Sequence, residues 1–254
     1  GTTVTSFEFD FTFFLDDIYY EFDLNTDGNY YLDGNYDIDI QLEDGDSIYL
    51  LGCGCGYSGC GEETGTVIDA NGLSRIFEIH SGEVTIDGIR LTEGLADYGG
   101  AILNYGSLMV IDSCFINNDA TVQGGAIDNR GTLSIEGSSF EENTAVNGAA
   151  ISSSGTITEI SDSTFSNNQA TGSGGAIQVL STGTINQIID TSFTNNTATS
   201  VGGAIYLNSG TIEGMESTLF ESNTANNGGA IYSNLGDIDY MLENTFTQNT
   251  AQAN

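Results

Sequence analysis

Short runs of apolar residues follow one another through most of the chain, each bounded by turn-forming residues. Leu108–Ile111 and Thr132–Ile135 are typical, and Gly, Asn, Ser and Thr separate them from the next runs. The repeated part of the chain lacks the apolar spacing of about 3.6 residues that marks an amphipathic helix. Short β-prone runs between turn residues predict strands. The pattern therefore predicts an all-β protein.

Two phrases recur together six times, and they set the predicted architecture. Gly-Gly-Ala-Ile is followed about sixteen residues later by Phe-x-x-Asn, and successive Phe positions are 25, 25, 28, 27 and 26 residues apart. A period in this range is typical of solenoids, in which each repeat forms one coil. The first phrase begins at Gly99, Gly124, Gly148 (as Gly-Ala-Ala-Ile), Gly174, Gly202 and Gly228. The second begins at Phe115, Phe140, Phe165, Phe193, Phe220 and Phe246.

We predict a right-handed parallel β-helix of roughly nine or ten coils, with strands about 4.8 Å apart along the axis. The chain has no Pro, so no ladder donor is lost. If equivalent residues of successive coils stack on one another, the Phe side chains form one inward-pointing file. The same stacking also predicts an asparagine ladder that exchanges amide hydrogen bonds at a corner. Extra residues are expected at a single turn, with strand register preserved. The ladder residues are Asn118, Asn143, Asn168, Asn196, Asn223 and Asn249.

The paired phrases resemble the repeats of bacterial polymorphic outer-membrane proteins. The resemblance covers residues 65–254, including entry coils over 67–89, and six coils from residue 99 onward. It implies a β-helix that is displayed on a cell surface and takes part in adhesion. It implies no enzymatic reaction.

Residues 1–64 do not repeat and are predicted to form a separate β-rich capping or assembly region. Phe7, Phe9, Phe11 and Phe13 alternate with polar residues, which predicts a strand with one aromatic face. That face either caps the first coil of its own helix or docks on a neighbouring molecule. At the other end, the sequence stops where another glycine phrase would begin, which predicts an open sheet edge. Head-to-tail pairing of the two ends would give a filament; the alternative is a fragment of a longer protein.

The strongly negative net charge of the chain limits the partners and the enzymatic reactions that can be expected. The chain has 36 acidic residues against three Arg, one His and no Lys, which gives a net charge of −33. This charge disfavours nucleic acid and anionic lipid as partners, and no apolar stretch is long enough to span a membrane. Lyases acting on uronic acids need cationic groups, and the lone His80 is interpreted as a packing or turn residue. We therefore predict no enzymatic activity, although two carboxylates suffice for a glycosidase.

Four cysteines predict export to an oxidising compartment. Three of them lie in a Gly-rich loop, and the fourth precedes the first motif Phe. We expect two disulfides that fasten the loop to the first regular coil; a four-thiolate metal or iron–sulfur site is the alternative. The residues are Cys53, Cys55, Cys60 and Cys114.

An acidic segment before the repeats resembles the start of a calcium loop, with oxygen ligands at alternate positions. Its twelfth position is Gly34 rather than an acid, so an ordinary acidic turn is the alternative. The candidate ligands are Asp23, Asn25, Asp27, Asn29 and Asp33, with Asp37, Asp39, Asp44 and Asp46 as a weaker second set. No other cofactor is predicted. Asn195 begins the only N-glycosylation sequon.

These features together predict an extracellular structural protein, a filament subunit whose partner is another copy of itself. The aromatic N-terminal strand would pair with the open C-terminal coil. The first alternative is a β-helical adhesin module from a larger surface protein, which binds a cell-surface or matrix ligand. The second is a carbohydrate-active enzyme.

Overall fold

The computed structural model describes residues 19–23, 28–31, 38–42, 47–52, 54 and 65–253, with side chains from residue 38 onward. These residues form 33 β-strands and no helix. All the strand pairs are parallel; for example, Ile102 pairs in register with Ile127. The strands stack as a solenoid. The predicted all-β parallel solenoid is confirmed.

Seven coils contribute four strands each, and two coils with fewer described strands precede them. These two coils hold β1 (Tyr19–Asp23), β2 (Gly28–Tyr31), β3 (Ile38–Gln41), β4 (Ser47–Leu51) and β5 (Thr66–Asp69). The first three complete coils hold β6 (Phe77–Ser81), β7 (Glu83–Asp87), β8 (Ile89–Thr92), β9 (Leu95–Tyr98), β10 (Ile102–Asn104), β11 (Ser107–Ile111), β12 (Cys114–Ile116), β13 (Asp119–Gln123), β14 (Ile127–Asn129), β15 (Thr132–Glu136), β16 (Ser139–Glu141) and β17 (Thr144–Asn147).

The last four coils have the same order of strands. They hold β18 (Ile151–Ser153), β19 (Thr156–Ser161), β20 (Thr164–Ser166), β21 (Gln169–Ala170), β22 (Ile177–Val179), β23 (Thr184–Ile189), β24 (Ser192–Thr194), β25 (Thr197–Ala198), β26 (Ile205–Asn208), β27 (Thr211–Glu216), β28 (Leu219–Glu221), β29 (Thr224–Ala225), β30 (Ile231–Asn234), β31 (Asp237–Leu242), β32 (Thr245–Thr247) and β33 (Thr250–Ala251).

Four sheets run along the solenoid, named here by the order of their strands within a complete coil. The first sheet has eight strands, from β3 and β6 to β30, and the second has nine, from β1 to β31. The third has nine, from β2 to β32, and the fourth has seven, from β9 to β33. The described strands before residue 65 therefore belong to the same sheets as the repeats.

The core is a continuous apolar column enclosed by the first three sheets. In β11, Leu108 and Val110 are buried while Met109 between them is exposed, as strand alternation requires. The motif Phe rings form one inward stack, with neighbouring centroids 4.6, 4.8, 4.8, 4.9 and 4.7 Å apart. Five of the six rings are fully buried. This spacing matches the distance between coils, so ring stacking and strand pairing impose the same register.

The glycine phrase forms the corner between the fourth and first sheets. Its first glycine has a positive φ in every copy, for example +66° at Gly124. A Cβ on Gly124 would lie 2.4 Å from the carbonyl oxygen of Ile127, far inside van der Waals contact. The corner thus requires glycine for its backbone conformation and for its space.

The prediction that strand register is preserved is wrong at several places. Register shifts occur where β13 pairs with β9 and with β17, where β3 pairs with β6, and in the second sheet. Between β15 and β19 the register shifts after Leu133, so that Leu133 pairs with Ile157 but Ser134 pairs with Glu159. The later strands of the second sheet have six residues rather than five. Thr158 is the extra residue, and its hydroxyl donates to the Leu133 carbonyl at 3.2 Å. Insertions therefore enter through a β-bulge as well as through a turn.

Replacing Gly124 by Ala is expected to destabilise the fold by more than about 3 kcal/mol. The change adds left-handed backbone strain, about 1–2 kcal/mol, to a clash with main-chain atoms that cannot move without breaking a coil. Chemical denaturation measures the difference. Gly72→Ala is the matched control, since Gly72 also has a φ of +66° but its Cβ would meet nothing within 4 Å. Equal losses in the two variants would contradict the proposed role of close approach.

Candidate functional site

The six predicted asparagines lie together in one ladder at the corner after the third sheet. Asn168 is representative. Its Nδ2 donates to the Phe140 carbonyl at 3.0 Å and to Asn196 Oδ1 at 2.9 Å. Its Oδ1 accepts from the backbone N–H of Asn143 at 3.1 Å and from Asn143 Nδ2 at 3.0 Å. Each interior amide is satisfied only when a coil lies on both sides of it.

A second polar ladder, which the sequence analysis missed, lies at the corner before the third sheet. Ser138 Oγ donates to the Glu136 carbonyl at 2.9 Å and accepts from the N–H of Ser113 at 3.1 Å. The same pattern continues through Ser163. The sequence does carry the signal, because the residue two places before each motif Phe is always polar and small. These residues are Ser113, Ser138, Ser163, Thr191, Thr218 and Asn244.

The last coil exposes residues whose counterparts in the preceding coil are fully buried. Phe246 stacks on Phe220 at 4.7 Å, yet 47% of its surface is exposed. Met241 pairs in register with Met215 and is 44% exposed, whereas Met215 is completely buried. Five of the eleven exposed large hydrophobic residues belong to this coil. The last coil therefore exposes the same types of apolar residue that are buried in the core of the preceding coil.

Tyr240 fastens this last coil to the two coils before it. Its ring lies over Gly214, where an added Cβ would be 2.4 Å from the ring. Its hydroxyl donates to Gln187 Oε1 at 2.8 Å, across 53 residues of sequence. Gln187, Gly214 and Tyr240 occupy equivalent positions in three successive strands. The absence of a side chain at Gly214 makes this contact possible.

The cationic side chains of the described residues lie between residues 75 and 130. Arg130 lies 4.9 Å from the ring centroid of Tyr98 and 5.3 Å from that of Tyr105. Burial of the guanidinium opposes its charge, but the hydrogen bond and charge of Asp128 outweigh this effect, so the pKa of Arg130 is raised above its usual value. The Tyr98 and Tyr105 side chains add to this increase. His80 is exposed, lies parallel to the Tyr105 ring with centroids 6.3 Å apart, and has Asp39 Oδ1 3.7 Å from its Nε2.

Cys114 is disulfide-bonded and only 9% exposed. It pairs in register with Arg90 and Ser139 on the outward side of the third sheet, opposite to the buried Phe115. The pairing of Cys114 with the Gly-rich loop stays a prediction, because Cys53, Cys55 and Cys60 lie outside the described residues.

Most of the other N-terminal predictions cannot be placed. The aromatic strand Phe7, Phe9, Phe11 and Phe13 lies outside the described residues, as do Asn25, Asp27 and Asp33. Asp23 ends β1 and Asn29 lies within β2. Asp39 lies in β3 and is exposed, whereas Asp37, Asp44 and Asp46 are not described. Within the described ranges, no group of three or more His, Cys, Asp or Glu side chains could hold a metal ion.

Asn195, the sequon residue, is exposed beside the ladder residue Asn196 and has a φ of +56°. Its side chain therefore lies on the outside of the corner, where a glycan would have room. No helix in the described part of the chain is long and apolar enough to cross a membrane.

Comparison with protein families identifies three repeat segments, each of which runs from the third sheet of one coil into the first sheet of the next. Residues 162–179, 190–208 and 217–234 match the Chlamydia polymorphic membrane protein repeat. The chain thus carries polymorphic outer-membrane protein-type repeats on a β-solenoid. Such repeats suggest a surface or outer-membrane protein. Comparison with curated proteins and with solved structures gives no match.

Substituting Ala for Asn168 is expected to destabilise the protein by about 3 kcal/mol or more, because four hydrogen bonds are lost and buried partners stay unsatisfied. Thermal and chemical unfolding measure the effect. The neighbouring exposed residue provides the control, since Gln169→Ala should change stability by less than about 0.5 kcal/mol. A similar small change at Asn168 would show that the ladder contributes little.

Proposed function

Because three segments of the chain match a repeat of membrane proteins, we propose that the chain is an extracellular structural protein that assembles end to end. The observation that carries this proposal is the exposed, core-like face of the last described coil. The proposed partner of this face is the N-terminal region of a second copy. The proposed location is the cell surface or extracellular space.

Complementarity between coils supports a second copy as the partner. Each of the five ring contacts joins the Phe of one coil to the Phe of the next at nearly constant spacing. Phe246 has such a contact on one side only. The N–H and C=O groups along one edge of β30, β31, β32 and β33 have no strand beside them in the described residues. A strand of a second copy added there would pair with one of these edges, and its aromatic side chains would cover the exposed ring of Phe246.

The proposed donor is the aromatic strand containing Phe7, Phe9, Phe11 and Phe13, at the opposite end of the chain. Docking would bury the remaining exposed surface of Met241 and Phe246, which is worth about 1 kcal/mol for each residue. Strand pairing would add specificity, as in other cases of β-strand addition. Repulsion between copies of net charge −33 opposes the contact, so assembly should strengthen as salt screens that charge.

A second candidate function is that of a monomeric adhesin module. The flank with Tyr98, Tyr105 and Arg130 favours it, because both rings are about 40% exposed. Aromatic and Arg side chains on an accessible surface are typical contact residues. Nothing in the described residues favours the carbohydrate-active alternative over these two.

We expect the purified chain to form filaments whose assembly Phe246→Asp abolishes, since a carboxylate would replace the apolar ring at the docking face. Negative-stain microscopy and sedimentation velocity at increasing salt measure assembly. Met109→Asp is the control, because it adds the same charge at a residue that is 38% exposed on the flank. Circular dichroism should show both variants folded.

Short isolated rods of the unmodified chain at every salt concentration would contradict end-to-end assembly and favour the adhesin module. Filaments that persist in Phe246→Asp would show that the copies meet elsewhere.

We propose calcium as the ion bound by the acidic segment with the candidate ligands Asp23, Asn25, Asp27, Asn29 and Asp33. Calcium at a hundredfold excess over its Kd should stabilise the fold by about 2.7 kcal/mol. Calorimetry with calcium and with a chelator measures the rise in Tm, which Asp27→Asn should remove. Asp239→Asn, at an exposed acid in β31, should keep it. An unchanged Tm of the unmodified chain in calcium would contradict the site.

A further inference from the structure

One file of outward positions on the first sheet is buried, although outward positions on the second and third sheets are mostly accessible. Leu103, Asp128, Ser152 and Gln178 occupy equivalent places in β10, β14, β18 and β22, and none is more than 5% exposed. The glycine corner covers them. A Cβ on Gly148 would lie 3.1 Å from Gln178 Cβ.

Three consecutive members of this file have a buried oxygen atom with no hydrogen-bond partner among the described protein atoms. These atoms are Asp128 Oδ1, Ser152 Oγ and Gln178 Oε1. Ser152 pairs in register with Asp128 on one side and with Gln178 on the other. Buried oxygens in folded proteins are almost always hydrogen-bonded to protein or ordered water. Three in one row therefore indicate a shared ligand rather than three separate defects.

We infer that this row binds ordered water molecules that bridge three successive coils. Asp128 Oδ2 already accepts from Arg130 Nη2 at 3.1 Å and from Gln123 Nε2 at 3.2 Å. The charge of the carboxylate is therefore balanced, and an additional cation would lie close to the guanidinium. The carboxylate and amide oxygens accept hydrogen bonds but cannot donate them. Water is neutral and supplies two donors for each molecule.

The sizes of the side chains in the row are consistent with a small ligand beside Ser152. Ser152 has two side-chain heavy atoms, whereas Asp128 has four and Gln178 has five. Ser152 is nonetheless completely buried beneath the same corner. The smaller side chain leaves room on the order of one or two waters, each of which takes about 30 Å³ in the liquid. A buried water of this kind typically makes about three hydrogen bonds, which this row of oxygens can provide.

The sign of the effect of Ser152→Ala on Tm tests the inference. If Ser152 Oγ binds water, its removal should lower Tm by roughly 2–4 °C. If the hydroxyl is buried without a partner, its removal should leave Tm unchanged or raise it, and this result would overturn the inference. Ser163→Ala is the positive control, because Ser163 Oγ has direct protein partners at 2.6 and 3.1 Å.

Magnetic relaxation dispersion of water oxygen-17 gives an independent measurement on the whole chain. The unmodified protein should show long-lived internal water, and Ser152→Ala should lose part of that signal while Ser163→Ala keeps it. Equal signals from all three proteins would overturn the inference. So would a rise in Tm with added sodium or calcium that Asp128→Asn abolishes, since that result would identify the ligand as a cation.

Discussion

Stacking of equivalent residues one coil apart is the constraint on which the rest of the structure depends. Strand pairing sets the distance between coils, and every side chain that meets its own counterpart must tolerate that distance. A Phe ring does so by stacking, as Phe140 and Phe165 do at 4.8 Å. A primary amide does so because it carries both a donor and an acceptor. Carboxylates cannot hydrogen-bond to their own kind when both are charged, so acids are excluded from these interior ladders.

The corners show how one constraint selects three different residue types. Asn168 satisfies buried carbonyl and N–H groups across coils, while Ser138 satisfies a carbonyl of its own coil and an N–H of the previous one. Gly124 has no side chain to form a hydrogen bond, and its left-handed backbone conformation and small size are what the corner requires. Each corner therefore tolerates a different set of substitutions. The Gly-Ala-Ala-Ile copy illustrates this, because Ala149 replaces the second glycine and is completely buried beside Ala170.

The fold and the asparagine ladder could be predicted because Phe and Asn recur at nearly constant spacing. The β-bulge at Thr158 could not be predicted, because two changes in the length of the segments between motifs cancel each other. Gly131 and Phe140 are nine residues apart while Gly155 and Phe165 are ten, yet the Phe spacing stays at 25. A residue lost before Gly148 conceals the one gained at Thr158. The Ser/Thr ladder also has a sequence signal, but the signal is weak because hydroxyl residues are common in turns.

The burial of Asp128 and its neighbours could not have been predicted from the sequence. Strand alternation correctly assigns them to the outward side, but only the path of the glycine corner shows that this side is covered. Sequence periodicity thus predicts which face a residue takes within its strand. It does not predict what other part of the same coil lies over that face.

The contact of Tyr240 has a mechanical consequence. A chain pulled from a point after residue 253 would otherwise detach from the solenoid one coil at a time, breaking few contacts at each step. Because Tyr240 reaches over Gly214 to Gln187, detachment of the final coil must first break a bond anchored two layers deeper. The force needed to start unravelling is therefore greater than the force set by neighbouring strands alone.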